Sequence, residues 1–250
     1  MNFGLHLTDC IAHMRTMPAA SVHLIVCDSP YENTNLAFDK QPVNWAAWWA
    51  EVRRVLVPTG VVVCFAAESF TLDLILSNRE WYRYRRVWVK SRATRQMDAN
   101  WRPLCAHEDL VIFSPNIKAA SYNPQLVAHQ GPNKSTRRKP NAAAHYSADK
   151  GNVYTDNGLR HPTTVMYYPS VGTTALHFNP TAKPLGLITE LVLTYSNPGE
   201  VVLEPFAGDA PAAHACENTG RLYVGCEINP EQYHWSAANL ARKAPLFAAA

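Results

Sequence analysis

Two short stretches, far apart in this 250-residue chain, carry residue types able to do chemistry. Near the N-terminus the apolar run Val22-His23-Leu24-Ile25-Val26-Cys27 ends in Asp28-Ser29-Pro30-Tyr31, a carboxylate close to an aromatic ring. Asp, Ser and Pro all favour turns, so the same four residues also read as a plain turn. Far downstream, Val201-Val202-Leu203-Glu204 opens into Pro205-Phe206-Ala207-Gly208-Asp209-Ala210-Pro211. A strand, a glycine turn and a helix let backbone N–H groups hold a ligand at the strand's carboxyl end. The run Arg221 to Cys226 then ends in Glu227, about 20 residues past the glycine turn, where a carboxylate can bond both hydroxyls of a ribose. A nicotinamide dinucleotide site would show a fuller Gly-x-Gly-x-x-Gly, and only Gly208 is present. An ordinary strand–turn–helix connection is the plain alternative.

The elements that must position these residues follow from hydrophobic periodicity. Short apolar runs alternate with helix-length patterns, which argues for βα units and a mainly parallel sheet. Strands are expected at 22–27, 61–65, 86–90, 109–113, 201–204 and 221–226. Trp45, Trp48, Trp49, Val52, Val55 and Leu56 fall at helical spacing within 44–57, and Pro58-Thr59-Gly60 is expected to stop that helix. The tryptophans read as core rather than as a base-stacking platform. A second helix starts at Lys183-Pro184, buries Leu187, Ile188, Leu191 and Val192, and ends before Asn197-Pro198-Gly199. Residues 115–170 break the rhythm with a Pro-, Asn-, Lys-, Arg- and Tyr-rich stretch of no clear period. So long an irregular segment reads as a functional insertion on one α/β domain.

Composition narrows the class. Hydrophobic residues make up 47% of the chain, enough for a full core. No apolar run approaches the ~20 residues of a membrane span. The N-terminus lacks signal-peptide features, so a cytoplasmic setting is the expectation, with no membrane. The six cysteines are scattered and none forms Cys-x-x-Cys, which favours buried reduced thiols and no metal site. A net charge of +3 says little by itself. Its distribution says more: Arg83, Arg85, Arg86, Lys90, Arg92, Arg95 and Arg102 crowd 83–102 against Asp98, and 134–139 reads Lys-Ser-Thr-Arg-Arg-Lys. Such local excess suits a polyanion-facing surface, with a solvated face as the alternative.

Taken together, Asp28-Ser29-Pro30-Tyr31 resembles the Asp-Pro-Pro-Tyr catalytic loop of the amino-directed DNA methyltransferases, and the Gly208 turn with Glu227 resembles their S-adenosylmethionine site. The catalytic loop comes first and the cofactor loop last, as in the circularly permuted β group. Three further stretches resemble that group: Leu7-Thr8-Asp9-Cys10, Asn179-Pro180-Thr181-Ala182-Lys183-Pro184, and Glu51 to Gly60. His107-Glu108 matches a family dipeptide and is given no catalytic role. The chain departs from the family at Ser29 and Ala182, where it has Pro and Gln, at Asn179, at Glu204 in place of Asp, and at Ala210 in place of Gly.

The resemblance implies a Rossmann-like methyltransferase fold, circularly permuted, with residues 1–114 as catalytic half, 115–170 as an inserted target-recognition region and 171–250 as cofactor half. Within the catalytic loop Asp28, Ser29, Pro30 and Tyr31, Asp28 would accept from the exocyclic amine of an extruded base, Ser29 or its neighbour would lend a backbone carbonyl, and Tyr31 would stack on the base. Asp9 and Cys10 would lie at the cofactor's adenine, and Thr181 and Lys183 at its methionine end. Glu204, Pro205, Phe206, Ala207, Gly208, Asp209, Ala210, Glu227 and Ile228 would complete the cofactor site. Arg92, Arg95, Lys134, Arg137, Arg138 and Lys139 would contact double-stranded DNA. Adenine N6 is favoured over cytosine N4, because Asp opens the loop more often in adenine enzymes. Homodimer formation and a nucleoid-associated or phage-encoded origin in a bacterial host are expected. The changes at Ser29 and Ala210 leave open an inactive DNA-binding homologue, and related loops also methylate RNA or protein glutamine.

Overall fold

A computed structural model of the chain describes residues 1, 3–31, 43–128, 136–137, 153–154, 157–171, 178–179 and 181–242. In chain order its elements are β1 Gly4–Leu7, α1 Cys10–Thr16, β2 Val22–Cys27, α2 Trp45–Val55, β3 Leu56–Ala66, α3 Ser69–Ser77, β4 Tyr82–Thr94, β5 Cys105–Phe113, β6 Val127–Ala128, β7 Thr136–Arg137, β8 Val153–Tyr154, β9 Leu159–Arg160, β10 Val165–Tyr168, α4 Leu185–Tyr195, β11 Val201–Glu204, α5 Pro211–Thr219, β12 Leu222–Glu227 and α6 Pro230–Ala241. Eight strands form one sheet in the order β1-β12-β11-β2-β3-β5-β4-β10. Pairing is parallel except at β5, which runs against both β3 and β4. Strands β2 and β11, from opposite parts of the chain, lie side by side.

Period-2 alternation in the strands sends side chains to two cores. Val62, Cys64 and Ala66 of β3 join Met14 of α1, Trp48 and Val52 of α2 and Leu74 of α3 on one face. Val61, Val63 and Phe65 join Leu187, Ile188 and Leu191 of α4 and Ala212 of α5 on the other. Side chains cap two of the helices: Asp9 accepts from Ala12 N–H at 2.8 Å at the start of α1, and Asn44 accepts from Ala47 N–H at 3.1 Å at the start of α2.

The sheet differs from the sequence expectation in three places. The strand after α2 begins at Leu56, before Pro58-Thr59-Gly60, so these residues do not separate helix from strand. Pairing jumps from Val22↔Leu56 to Leu24↔Val61, and Pro58 and Thr59 are exposed in the resulting bulge. Gly4–Leu7 forms an edge strand on β12 that short length hid from the periodicity. Val165–Tyr168, placed by sequence in the irregular insertion, pairs in parallel with Val87–Lys90. The chain accordingly divides into Met1–Asn123 with Thr164–Ala250, and a second unit Pro124–Thr163. Within the second unit β6 pairs with β9 and β7 with β8, both antiparallel. Among the described residues no helix is long and apolar enough to cross a membrane.

Arg86 ties the sheet edge to α4. Its guanidinium, 6% exposed, donates to Glu190 Oε1 at 2.7 Å, while Tyr168 Oη donates to Glu190 Oε2 at 2.7 Å. Removing one partner of a buried pair leaves an uncompensated charge. Glu190→Ala is therefore expected to cost about 3 kcal/mol and to lower the thermal midpoint by roughly 6–12 °C. Replacing both partners, Arg86→Met with Glu190→Leu, should cost less than the single change. Calorimetry of the three proteins checks this, and an unchanged midpoint in Glu190→Ala would contradict it.

Candidate active site

The β2 and β11 strands end at the same edge of the sheet, where a cavity of about 1470 Å³ opens. Asp9, Cys10, Asp28, Ser29, Pro30, Tyr31, Thr181, Lys183, Glu204, Pro205, Phe206, Ala207, Gly208, Asp209, Glu227 and Ile228 all line it. Of the expected cofactor residues Ala210 alone does not, because its methyl is packed into the core. Residues as far apart in the chain as Asp9 and Ile228 thus share one concavity.

One wall of it is a tightly bonded turn. Gly208 takes a left-handed backbone (φ 52), and a Cβ there would sit 3.4 Å from the Asn179 amide. Its N–H donates to Glu227 Oε2 at 3.0 Å, and Asn229 N–H donates to Oε1 at 2.8 Å. Ser236 Oγ donates to Gly208 O at 2.7 Å. Asp209 Oδ1 accepts from Gln232 Nε2 at 2.7 Å and from Asn179 N–H at 3.0 Å. Asn179, a departure from the family pattern, accepts from Thr181 N–H and Oγ at 2.9 and 2.7 Å and so joins the Lys183 segment to this turn. Ala210 stands where the family has glycine and takes the conformation that glycine would (φ 55, ψ 48), immediately before Pro211 opens α5. A left-handed alanine costs about 1–2 kcal/mol, which the burial of its methyl partly offsets.

The opposite wall is built on charge. Asp28 Oδ1 accepts from Tyr31 Oη at 2.8 Å and lies 2.9 Å from Lys183 Nζ. Lys183 also reaches Glu108 Oε2 at 3.4 Å, and Lys90 reaches Glu108 Oε1 at 3.3 Å. Ser29 is buried, and the Tyr31 ring stacks on Phe70 with centroids 5.1 Å apart. Burial pushes the Asp28 carboxyl above the usual range; Lys183 opposes this and Glu108 adds to it. Glu108 is held below the usual range because Lys183 and Lys90 together outweigh its burial. Burial also drives Glu204 up to about 8, although it accepts from Tyr223 Oη at 2.8 Å and Ala212 N–H at 3.3 Å.

The structure gives several of the expected residues protein partners and changes the reading of the basic run. Lys183, placed by resemblance at the methionine end of the cofactor, has its ammonium on Asp28. Asp9 caps α1 through Oδ1 and also lines the cavity. The basic run 83–102 does not form an open polyanion-facing surface, because acids neutralise most of it. Arg86 pairs with Glu190, Lys90 with Glu108, Arg85 with Asp109 at 3.4 Å, and both Arg95 and Arg102 with Glu68. Arg95 also lies 3.6 Å from Asp98 and lines the cavity, whereas Arg92 is exposed. Arg137 falls in β7, and Lys134, Arg138 and Lys139 lie outside the described residues. Glu108 and Lys90 are the site residues that sequence reasoning missed. Alternation gave the signal for Lys90: Arg86, Trp88 and Lys90 share one strand face, and Arg86 and Trp88 are buried.

A family model described as DNA methylase, N6/N4 type, matches residues 22–239. The chain is 27% identical to the DNA adenine methyltransferase YhdJ of Escherichia coli K12, over 94% of this chain and 85% of that protein. It is 24% identical to the type II methyltransferase M.HpaI of Haemophilus parainfluenzae, over 92% and 72%. Among solved structures, the PvuII DNA methyltransferase, cytosine-N4-specific, aligns with a TM-score of 0.66 at 15% identity over 95% of this chain and 86% of that one. The M1.HpyAVI–SAM complex aligns with a TM-score of 0.58 at 20% identity over 94% and 98%. This chain belongs to the N6/N4 DNA methylase family. It is a DNA methyltransferase whose cofactor is S-adenosylmethionine.

Two expected outcomes follow from the geometry. Glu227→Ala should weaken S-adenosylmethionine binding by about 1.5–3 kcal/mol, read by calorimetric titration; unchanged affinity would remove Glu227 from the site. Glu204 has a raised folded-state value, so the stability it contributes is complete below its ordinary 4.5 and is lost as pH rises through about 8. Glu204→Gln fixes the neutral form. Its stability in urea relative to the wild type should rise from pH 5 to pH 9, and a difference independent of pH would contradict the assignment.

Proposed function

We propose that this chain methylates the exocyclic N6 amine of an adenine extruded from double-stranded DNA, with Asp28 as the catalytic carboxylate. The observation that carries this reading is Asp28, set in a cavity it shares with the Gly208–Glu227 turn and held through one carboxylate oxygen. The residues present fit the cofactor. A glycine without a side chain bends the backbone at the strand end, and a carboxylate that spends one bond per oxygen on backbone keeps lone pairs for a ribose. At about 1470 Å³ the cavity exceeds the 300–1,000 Å³ typical of one small-molecule site and has room for a cofactor and a base together. Glu227 would bond the ribose hydroxyls, and Phe206 and Ile228 would offer apolar cover to the adenine ring. When bound, S-adenosylmethionine supplies an electrophilic methyl group on a sulfonium.

The chain's own residues have to make a poor nucleophile better. The amine lone pair is delocalised into the base, and acceptors on both N–H bonds favour a pyramidal nitrogen with that pair available. Asp28 accepts one N–H and the Ser29 backbone carbonyl the other, so the change from proline at Ser29 costs loop stiffness and not the acceptor. Tyr31 has one ring face on Phe70 and stacks the base on its other face. As the nitrogen gains positive charge, Asp28 stabilises it at short range in a site shielded from water.

Adenine is favoured by the opening Asp and by the similarity to an adenine methyltransferase. Cytosine N4 is the second reading, favoured by the fold similarity to a cytosine-N4 enzyme. The family resemblance supports Pro124–Thr163 as the target-recognition unit, a homodimer and a cytoplasmic setting. With labelled S-adenosylmethionine and unmethylated DNA, Asp28→Ala is expected to lose about 100- to 1000-fold in methyl transfer, with cofactor affinity within a few-fold of wild type. Full turnover in that variant would overturn the assignment.

A further inference from the structure

The groups behind Asp28 form a row of alternating charge: Asp28, Lys183, Glu108 and Lys90, joined at 2.9, 3.4 and 3.3 Å. They come from four places in the fold: the end of β2, the segment before α4, β5 and β4. Lys183 is 6% exposed, so this is a built arrangement and not a surface pair. Both described contacts to the Asp28 carboxylate, from Lys183 Nζ and Tyr31 Oη, fall on Oδ1. Oδ2 has no partner among the described residues, and Asp28 lines the cavity.

We propose that Lys183 is the positioning residue of the methyl transfer: it clamps Asp28 through Oδ1, presents Oδ2 to the amine and keeps the carboxylate charged beside Glu108. This rests on the reading of Asp28 as the amine acceptor. The row holds two acids and two lysines, so both carboxylates can stay ionised without solvent. Without Lys183, two buried carboxylates face one ammonium, and that ammonium already lies on Glu108. One proton then binds, and it binds Asp28. A protonated Asp28 offers a donor where the amine needs an acceptor. The other groups facing Asp28 do not oppose this direction: Glu204 from β11 is neutral below about pH 8 and adds like charge only above it, while Cys27 and the Tyr31 phenol lie close to Asp28 in the chain. Burial already pushes Asp28 upward and Lys183 is the largest opposing influence. Cation–π attraction adds orientation, since the ammonium also stands over the Phe65 ring at 5.2 Å from its centroid and over that of Tyr31 at 5.7 Å.

The competing role for Lys183, binding the carboxylate of the cofactor's methionine end, gives a different signature. Three proteins decide between them: wild type, Lys183→Met, and Lys183→Met with Glu108→Gln. Methyl transfer is measured from pH 6 to 9.5, cofactor affinity by titration calorimetry, and the Asp28 carboxyl by carbon-13 NMR with aspartate labelling. In Lys183→Met the acidic limb of kcat should move to higher pH, lowering the rate at neutral pH by about tenfold for every pH unit it travels and recovering as pH rises. Cofactor affinity should stay within about threefold, well under the tenfold that a 1.4 kcal/mol loss would give. The double variant should bring the limb back toward wild type. A rate lowered equally at every pH, or a cofactor affinity lowered as much as the rate, would overturn the proposal. If Lys183→Met does not fold, Glu108→Gln alone should move the limb to lower pH, and an unmoved limb would overturn the proposal. The NMR titration decides it without turnover, so an inactive wild type would count against the proposed function and leave the Lys183 result readable.

Discussion

Parallel pairing of β2 with β11, Leu24 against Val202 and Ile25 against Leu203, is the constraint on which the rest depends. The two strands are separated by most of the chain, so each must be specified well enough to find the other. Both are buried on both faces apart from the half-buried His23, as a central parallel strand must be. Once paired, their carboxyl ends necessarily open at one edge of the sheet. The Asp28 loop and the Gly208 turn then meet there although they belong to opposite parts of the sequence. Ligands bind in the crevice outside the carboxyl ends of such strands, and a permuted chain order changes the connections without moving that crevice.

A second constraint follows from putting charge at that edge. Ionised groups taken from water need partners of the opposite sign, and the fold supplies them across elements. Lys183 answers Asp28 and Glu108, Lys90 answers Glu108, and Glu190 answers Arg86. Glu204 is the exception: its described partners are neutral donors, and its carboxyl responds by holding a proton more tightly. Pairing also explains why a stretch so rich in arginine presents so little free charge. Glu68, the adjacent Glu108 and Asp109, and Glu190 lie at three separate places in the chain, and only folding brings them to β4 and the turn after it.

Much of the cofactor side was legible because its signals are local. The apolar run to Glu204, the left-handed Gly208, the proline at the start of α5 and the acid ending β12 lie within 30 residues and need no partner to be read. Trp48, Val52 and Val55 showed the buried face of α2 for the same reason. The missed features are those that only tertiary contact defines. Pro58-Thr59-Gly60 looks like a terminator until β2 pairs on either side of it. Tyr168 and its neighbours look irregular until β4 offers an edge. Lys183 reads as a cofactor ligand and Glu108 as a structural acid until the sheet brings them together with Asp28.

The reaction itself is tested most directly by the nucleoside it makes. DNA free of methylated bases, incubated with the protein and S-adenosylmethionine, is digested to nucleosides and the products are identified by mass. N6-methyldeoxyadenosine is expected. N4-methyldeoxycytidine would keep the site and reverse the base, and no methylated nucleoside from a folded, cofactor-binding preparation would contradict Asp28 as the centre of DNA methylation.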